Sequence, residues 1–233
     1  MDPYFDQVTP VSLSKESLDY LLELGWYRMH QNMFTCSHVE MGGPHRVHWL
    51  RFSVHEISDR PSHKKIRRRA AGFHFTIEDL KSIPLTHAML HATYRTSINF
   101  DGAWSIQECL FGEAETLTNI FDTKCISIYD HDQLIAAGYF DVGENAAASI
   151  LHFFDPLYSR YSLGKYLILI TLDYLREKNI QYYYPGYVVE DLPKMNYKLF
   201  LGKEQARYFH PQSAEWKYFD ESILVGSKTE EDE

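Results

Sequence analysis

The chain has 233 residues, of which 45% are hydrophobic and 15% aromatic, which is enough apolar material for a sizeable core. Its three cysteines are widely spaced and no apolar run reaches membrane-spanning length. These features argue against a disulfide-rich secreted domain and a membrane protein, so we expect a cytoplasmic location. The net charge of −9 at pH 7 argues against a general nucleic-acid binder.

A capped helix and two strands are predicted in the first part of the chain. Ser12 or Ser14 can cap the helix, leucines share one of its faces, and Gly25 ends it. Alternating apolar residues then indicate two strands separated by a Gly-Gly-Pro turn. We therefore interpret residues 1–60 as a small N-terminal α+β domain. The predicted bounds are 12–25 for the helix and 26–34 and 47–57 for the strands.

A short basic segment follows in this acidic chain. It holds five of the 23 basic residues: Lys64, Lys65, Arg67, Arg68 and Arg69. Such a cluster is typical of contacts with a nucleic-acid backbone, although an exposed charged helix or a localisation-like run would have the same composition. We assign residues 61–225 to a second, larger domain that begins with this segment. Residues 226–233 are predicted to be a disordered acidic tail.

In the second domain the sequence predicts helices first and then a strand-rich half. A loop at residues 155–164, with glycine near the start of the helix that follows, would present free backbone N–H groups to an anion. Pro185 and Gly186 interrupt a later strand, so we expect it to separate from the preceding strand and leave a cleft. The predicted helices are 63–70, 85–97, 104–111 and 163–178, and the predicted strands are 124–129, 134–141, 146–154, 180–187, 206–209 and 215–219.

This order of elements is the layout of the Gcn5-related acetyltransferase fold. The expected fold class is therefore α/β (α+β), with a Gcn5-related acetyltransferase-like mixed sheet and a small N-terminal α+β domain. Such a fold hosts many activities, so it does not by itself specify a reaction.

Two motifs make the resemblance more specific. The stretch FFDPLYSRYSLGKY at 153–166 resembles the signature of the arginyl-tRNA–protein transferase family, which includes bacterial leucyltransferases that act on N-terminal Asp and Glu. The Tyr-rich strand at 182–187, followed by PKMNYK at 193–198, resembles the family's second hallmark. The resemblance implies an enzyme that moves an aminoacyl group, Arg or Leu, from charged tRNA to the N-terminal amine of an acceptor protein. The added residue would then be a tag of N-degron type, which marks the acceptor protein for degradation.

The position of the first motif between a strand and a helix suggests roles for its residues in that reaction. Backbone N–H groups of Ser162, Leu163 and Gly164 would hold the terminal adenosine phosphate or the ester oxygen. Asp155 and Tyr158 would orient the acceptor amine, although Asp-Pro is also a common end to a strand.

The second motif and the basic segment supply the remaining candidates. Tyr184 and Tyr187 would stack on the terminal bases of the tRNA, unless they are core residues of the strand. Lys194, Tyr197 and Lys198 would bind the substrate, the lysines by contacting phosphate or an acidic N-terminal side chain. The five basic residues at 64–69 would contact the tRNA backbone.

No cofactor is expected beyond the aminoacyl-tRNA donor, and no metal is predicted. Many relatives carry paired cysteines in the N-terminal unit, thought to bind an iron–sulfur cluster or zinc, whereas this chain has only Cys36 there. The nearby His38, His45 and His48 could complete a zinc site in principle, but their spacing fits no standard one.

Two other functions stay open at this point. An N-acetyltransferase using acetyl-CoA would be expected to show a different pyrophosphate loop from the one at 160–165. A non-catalytic binder of RNA or of protein N-termini would bind without turnover. The partners expected are aminoacyl-tRNA and protein N-termini, with no membrane. An arginyl donor would favour a carboxylate in the pocket, such as Asp155, Glu190 or Asp191, and a leucyl donor an apolar pocket.

Overall fold

The computed structural model of the chain describes residues 3–98, 103–112 and 118–224, and the predicted acidic tail at 226–233 lies outside them. The helices are α1 (Lys15–Glu23), α2 (Pro61–Arg69), α3 (Leu85–Ser97), α4 (Ile106–Phe111) and α5 (Leu163–Glu177). The strands are β1 (Phe5–Val8), β2 (Tyr27–Met29), β3 (Asn32–Cys36), β4 (His38–Glu40), β5 (Pro44–Ser53), β6 (His74–Asp79), β7 (Thr123–Asp130), β8 (Gln133–Val142), β9 (Ala146–Phe154), β10 (Tyr182–Val189), β11 (Ala206–His210) and β12 (Glu215–Tyr218).

A nine-stranded mixed sheet organises the fold. Its strand order is β12-β11-β5-β10-β9-β8-β7-β6, with β4 paired to β5. The pair β9–β10 is parallel, and α5 forms the crossover between these two strands, whereas the other neighbours described are antiparallel. The predicted α+β class with an acetyltransferase-like mixed sheet is confirmed.

The two faces of the sheet carry different layers because side chains alternate along each strand. Leu50 and Phe52 of β5 point to the core formed with α2 and α5. Trp49 points to the opposite face, where it packs with α1 and the small sheet β1-β3-β2. Helices α3 and α4 cover that same face farther along the sheet, against Tyr139 and Phe153.

The N-terminal segment is built into this sheet. Strand β5, which lies before residue 60, pairs with both β10 and β11. The division at residue 60 stays a prediction, but the strands on its two sides share one hydrogen-bonded sheet. Helix α1 begins as predicted, since Ser14 Oγ accepts the backbone N–H of Ser17 at 3.1 Å.

Two local predictions were wrong. The segment 26–34 is a hairpin of β2 and β3 rather than one strand, with His30 at the turn in the left-handed region at φ 58°. Strand β6 was not predicted, because only Phe75 and Ile77 alternate with its polar residues and five of its six residues are exposed at the sheet edge.

The predicted separation of two strands is confirmed. Strands β9 and β10 pair through three rows only, the last being Tyr184 with Ala148. The next residues of β10 are Pro185, which has no N–H, and Gly186, whose φ is 96°. The strands diverge beyond this point, and the register of β10 with β5 shifts there as well. An open gap in the middle of the sheet is the result.

Candidate active site

A cleft of about 660 Å³ occupies the gap between the diverging strands. Residues 149–152 of β9 form one wall, and residues 185–187 of β10 with Met195, Tyr197 and Lys198 form the other. The N-terminal unit contributes 27–30, Phe34 and Trp49, and the start of α4 contributes Ala103, Trp104, Glu108 and Cys109. Segments that are distant in the sequence therefore line the cleft together.

Lys198 is the most unusual charge in the cleft. Its side chain is only 8% exposed, and its Nζ donates a hydrogen bond to the backbone carbonyl of Tyr187 at 2.9 Å. Burial lowers the pKa of Lys198 from its ordinary value of 10.5 to about 8. No carboxylate in the described segments forms an ion pair with it. A buried cation without a counterion is costly, so this arrangement favours an anion or a developing negative charge in the cleft.

His152 lies in the same cleft but has a different character. Its Nε2 is 3.2 Å from Ser149 Oγ, and burial, together with the charge of Lys198, lowers the pKa of His152 to about 4. The imidazole is therefore neutral at pH 7. A group with a pKa near 4 is a poor general base at pH 7, whereas the pKa of Lys198, about 8, lies close to neutral pH.

A buried ion pair holds the N-terminal unit against the sheet beside the cleft. Arg28 Nη1 lies 2.9 Å from Asp141 Oδ1, and the two side chains are 1% and 0% exposed. Arg28 also donates to Thr123 Oγ1 and to the carbonyl of Leu110, and its guanidinium lies 4.2 Å from the ring centre of Phe121. With these partners Arg28 is a structural cation, and burial raises the pKa of Asp141.

Three of the predicted residues meet in the cleft: Tyr187, Tyr197 and Lys198. Tyr184 does not, because its ring is buried and packs edge-on against Tyr27 and Trp216. Its contacts are those of a core residue, the alternative that the sequence left open.

The loop after β9 lies outside the lining of the cleft. Asp155 caps the 3-10 helix Pro156–Tyr161 by accepting the N–H of Leu157 at 3.0 Å, and Tyr158 donates to Asp130 at 2.9 Å. Ser162 adopts the left-handed conformation (φ 58°) at the start of α5. Leu163 is buried in the core, and Gly164 follows it in the first turn. The contacts of Asp155 and Tyr158 fix the loop rather than face the cleft.

The basic segment forms α2 and lies beside this loop. Arg67 makes a two-pronged ion pair with Asp173 of α5, and Arg69 Nη1 lies 3.4 Å from the carbonyl of Arg160. The side chains that the structure leaves exposed are Lys64, Lys65, Arg68 and Arg69. Helix α2 therefore lies along α5, and Arg69 at its C-terminal end contacts the loop that precedes α5. Lys194 is also exposed, outside the cleft lining.

Sequence reasoning missed Ser149, His152, Arg28 and Trp104. His152 directly precedes the FFDP motif, so its position offered a signal. The other three lie in stretches with no motif, and only the fold brings them to the cleft.

The described residues contain no group of three or more His, Cys, Asp or Glu side chains placed to hold a metal ion. Cys36 is buried, and His48 hydrogen-bonds Glu190 at 2.9 Å in a separate cavity. The carboxylates considered for an arginyl donor, Asp155, Glu190 and Asp191, lie outside the cleft lining. None of the described helices is long and apolar enough to cross a membrane.

The family model for the C terminus of arginine-tRNA-protein transferase matches residues 86–207, which contain both cleft walls and α5. The chain belongs to this family. The matched range accounts for β9, β10 and the K-M-x-Y-K block, whereas α2 and the N-terminal unit precede it.

The chain is also similar to curated proteins that transfer an aminoacyl group by name. The chain is 38% identical over 98 residues to arginyl-tRNA–protein transferase 1 of Saccharomyces cerevisiae, covering 42% of this chain and 20% of that one. It is 26% identical over 148 residues to the aspartate/glutamate leucyltransferase of Acinetobacter baylyi, covering 64% and 55% of the two chains. The chain thus spans about a fifth and about half of these two relatives. Among solved structures, L-PGS from Bacillus licheniformis shares 9% identity with a TM-score of 0.42, over 76% of this chain and 51% of that chain.

Proposed function

We propose that this chain transfers an aminoacyl group, Arg or Leu, from charged tRNA to the N-terminal amine of an acceptor protein, with the reacting ester in the cleft between β9 and β10. The names of the two relatives supply the reaction class. The observation that carries the proposal is Lys198, a buried cation without a described counterion at the point where the two strands separate.

Lys198 suits the charge changes of this reaction. Attack of a neutral α-amine on the ester carbonyl forms a tetrahedral oxyanion, which the Lys198 ammonium can stabilise. The intermediate then breaks the bond to the ribose oxygen, which takes a proton from Lys198. The amine nitrogen gives up a proton as the amide forms, and this proton restores Lys198. With its pKa near 8, Lys198 can both give and accept a proton close to neutral pH.

Much of the rate enhancement would come from alignment rather than from a dedicated base. The ester is already activated, and the free amine has an ordinary pKa of about 7.7–8.0, so a useful fraction is neutral in the cell. Holding amine and ester together lowers a bimolecular barrier by roughly 7–11 kcal/mol. Neutral His152, hydrogen-bonded to Ser149, can accept a hydrogen bond from the incoming amine.

The tRNA would approach over α2. Lys64, Lys65, Arg68 and Arg69 are exposed, and Arg69 reaches the loop that leads into α5. We assign these side chains to the RNA backbone, and the backbone N–H groups of Leu163 and Gly164 to a phosphate at the start of α5. The N–H of Ser162, which the sequence also suggested, already donates to the carbonyl of Ser159 at 3.1 Å. Arg67 contributes less, because Asp173 already neutralises it.

The test is a transfer assay with tRNA charged with labelled Arg or Leu and peptides that begin with Asp, Glu, Arg or Lys. We expect labelled peptide with one donor, and loss of labelling in Lys198→Met. The matched control is Lys217→Met, a lysine on exposed strand β12 outside the cleft lining, which should transfer normally.

Three results would contradict the proposal. The first is labelled peptide formed at the native rate by Lys198→Met. The second is no transfer from either donor while acetyl-CoA raises the melting temperature and acetylates the same peptides, which would identify an acetyltransferase. The third is binding of charged tRNA without any product, which would identify a non-catalytic binder.

A further inference from the structure

Two exposed aromatic rings lie in the cleft, and each is paired with a cation. The indole of Trp104 is 80% exposed, and the guanidinium carbon of Arg95 lies 5.1 Å from its ring centre. The ring of Tyr197 is 43% exposed, and Lys198 Nζ lies 5.0 Å from its centre. Both rings belong to the lining of the same cleft.

Trp104 is held in place by a well-anchored helix start. Ser105 caps α4 by accepting the backbone N–H of Glu108 at 3.0 Å, and the Glu108 carboxylate accepts the backbone N–H of Trp104. Leu110 anchors the helix in the core. The indole is thus presented to solvent from a fixed backbone.

The combination of an exposed ring, a neighbouring cation and a cleft is suited to a nucleotide. Nucleobases stack on aromatic faces, and an adjacent arginine or lysine can pair with the phosphate or strengthen the stacking. The tyrosine that the sequence predicted for this role, Tyr184, is buried in the core.

We propose that Trp104 is the stacking platform for the terminal base of the donor RNA, with Arg95 beside it to meet the adjoining phosphate. Tyr197 and Lys198 lie on the other wall, where the ester-bearing ribose would sit. This assignment rests on the proposed transfer function and adds a named contact for the 3′ end. It also explains how the reacting ester is held in register with Lys198.

The test compares two uncharged RNA minihelices, one ending in CCA and one lacking the final A, in filter binding at constant salt. The native protein should bind the complete minihelix about 10-fold more tightly, the gain of one base stacked on an aromatic ring. Trp104→Ala should lose this preference and Trp104→Phe should keep part of it. Quenching of indole fluorescence by the complete minihelix should fall in both variants, since Trp49, the other indole of the cleft lining, is buried.

Tyr218→Ala is the matched control. Tyr218 is 65% exposed on β12, and Arg207 lies 4.8 Å from its ring centre, but neither belongs to the cleft lining. This variant should keep the 10-fold preference. An equal loss in Tyr218→Ala, an unchanged preference in Trp104→Ala, or no preference in the native protein would overturn the stacking assignment.

Transfer kinetics separate this assignment from the proposed function. In Trp104→Ala we expect a raised KM for charged tRNA with the KM for the acceptor peptide unchanged. A rise in the peptide KM alone would place the acceptor on Trp104 and overturn the assignment. If the native protein prefers the complete minihelix but transfers nothing, the stacking platform stands and the transfer function fails.

Discussion

Replacement of Lys198 by methionine should stabilise the protein while abolishing its activity. The drop of the Lys198 pKa from 10.5 to about 8 measures the cost of holding this charge in the core. That difference corresponds to about 3 kcal/mol at neutral pH. Methionine removes the charge at similar volume but leaves the Tyr187 carbonyl without its donor, which costs about 1 kcal/mol. We expect a net stabilisation of about 2 kcal/mol.

Urea unfolding at pH 7 measures this change. With an m value of about 3 kcal/mol per molar, the midpoint of Lys198→Met should rise by about 0.7 M. Lys217→Met, on exposed β12, should move the midpoint by much less, since that side chain is already solvated. The same Lys198→Met sample should form no labelled peptide, so the variant should be more stable than the native protein but inactive in the transfer assay.

The sign of the pH dependence follows from the depressed pKa. Below pH 8 Lys198 is charged in both the folded and the unfolded chain, and the folded state bears the full cost. Between pH 8 and 10.5 the folded protein loses this proton first, so the native protein gains stability as the pH rises. The advantage of Lys198→Met should therefore shrink over this range and turn into a deficit of about 1 kcal/mol at its upper end, where only the lost hydrogen bond to Tyr187 remains. A variant that is less stable than the native protein at pH 7 would refute the buried-charge argument.

Three further predictions concern other parts of the molecule. Arg28→Met leaves Asp141 buried without its partner and should cost about 3–5 kcal/mol in urea unfolding, and a loss below about 1 kcal/mol would contradict the role of the pair. Burial raises the pKa of Cys36 to about 11, so only about one thiol in a thousand is ionised at pH 8. Iodoacetamide should modify this cysteine far more slowly in the folded than in the denatured protein, as followed by mass spectrometry. The double variant Arg68→Ala/Arg69→Ala should lower the slope of log affinity for tRNA against log salt by about 2, and an unchanged slope would remove these residues from the RNA interface.

The separation of β9 and β10 could be predicted from two residues. Proline cannot donate to a sheet ladder and glycine has no side chain to pack, so Pro185 and Gly186 indicate the break from the sequence alone. The predicted bounds of β9 and α5 agree closely with the structure, because their apolar periodicity is strong. Edge strand β6 escaped prediction because its alternation rests on only two apolar residues, Phe75 and Ile77, in a mostly exposed strand.

The residues of the cleft were only partly predictable. Tyr187, Tyr197 and Lys198 stand in a recognisable motif, but so does Tyr184, which the fold places in the core. Sequence pattern does not distinguish Tyr184 from Tyr187, since the face each one takes depends on the register of β10 against β5, and that register shifts between Tyr183 and Gly186.

The sequence by itself determined the order of elements, the break between two strands and the family motifs, because these are encoded in neighbouring residues. The tertiary structure decided which groups meet. Arg28 and Asp141 are 113 positions apart and form a buried ion pair, and Trp104 reaches the same cleft as Lys198. The tertiary structure also decides the pKa of Lys198, because a pKa depends on burial and on the groups nearby in space. The linear order of residues does not specify either of these.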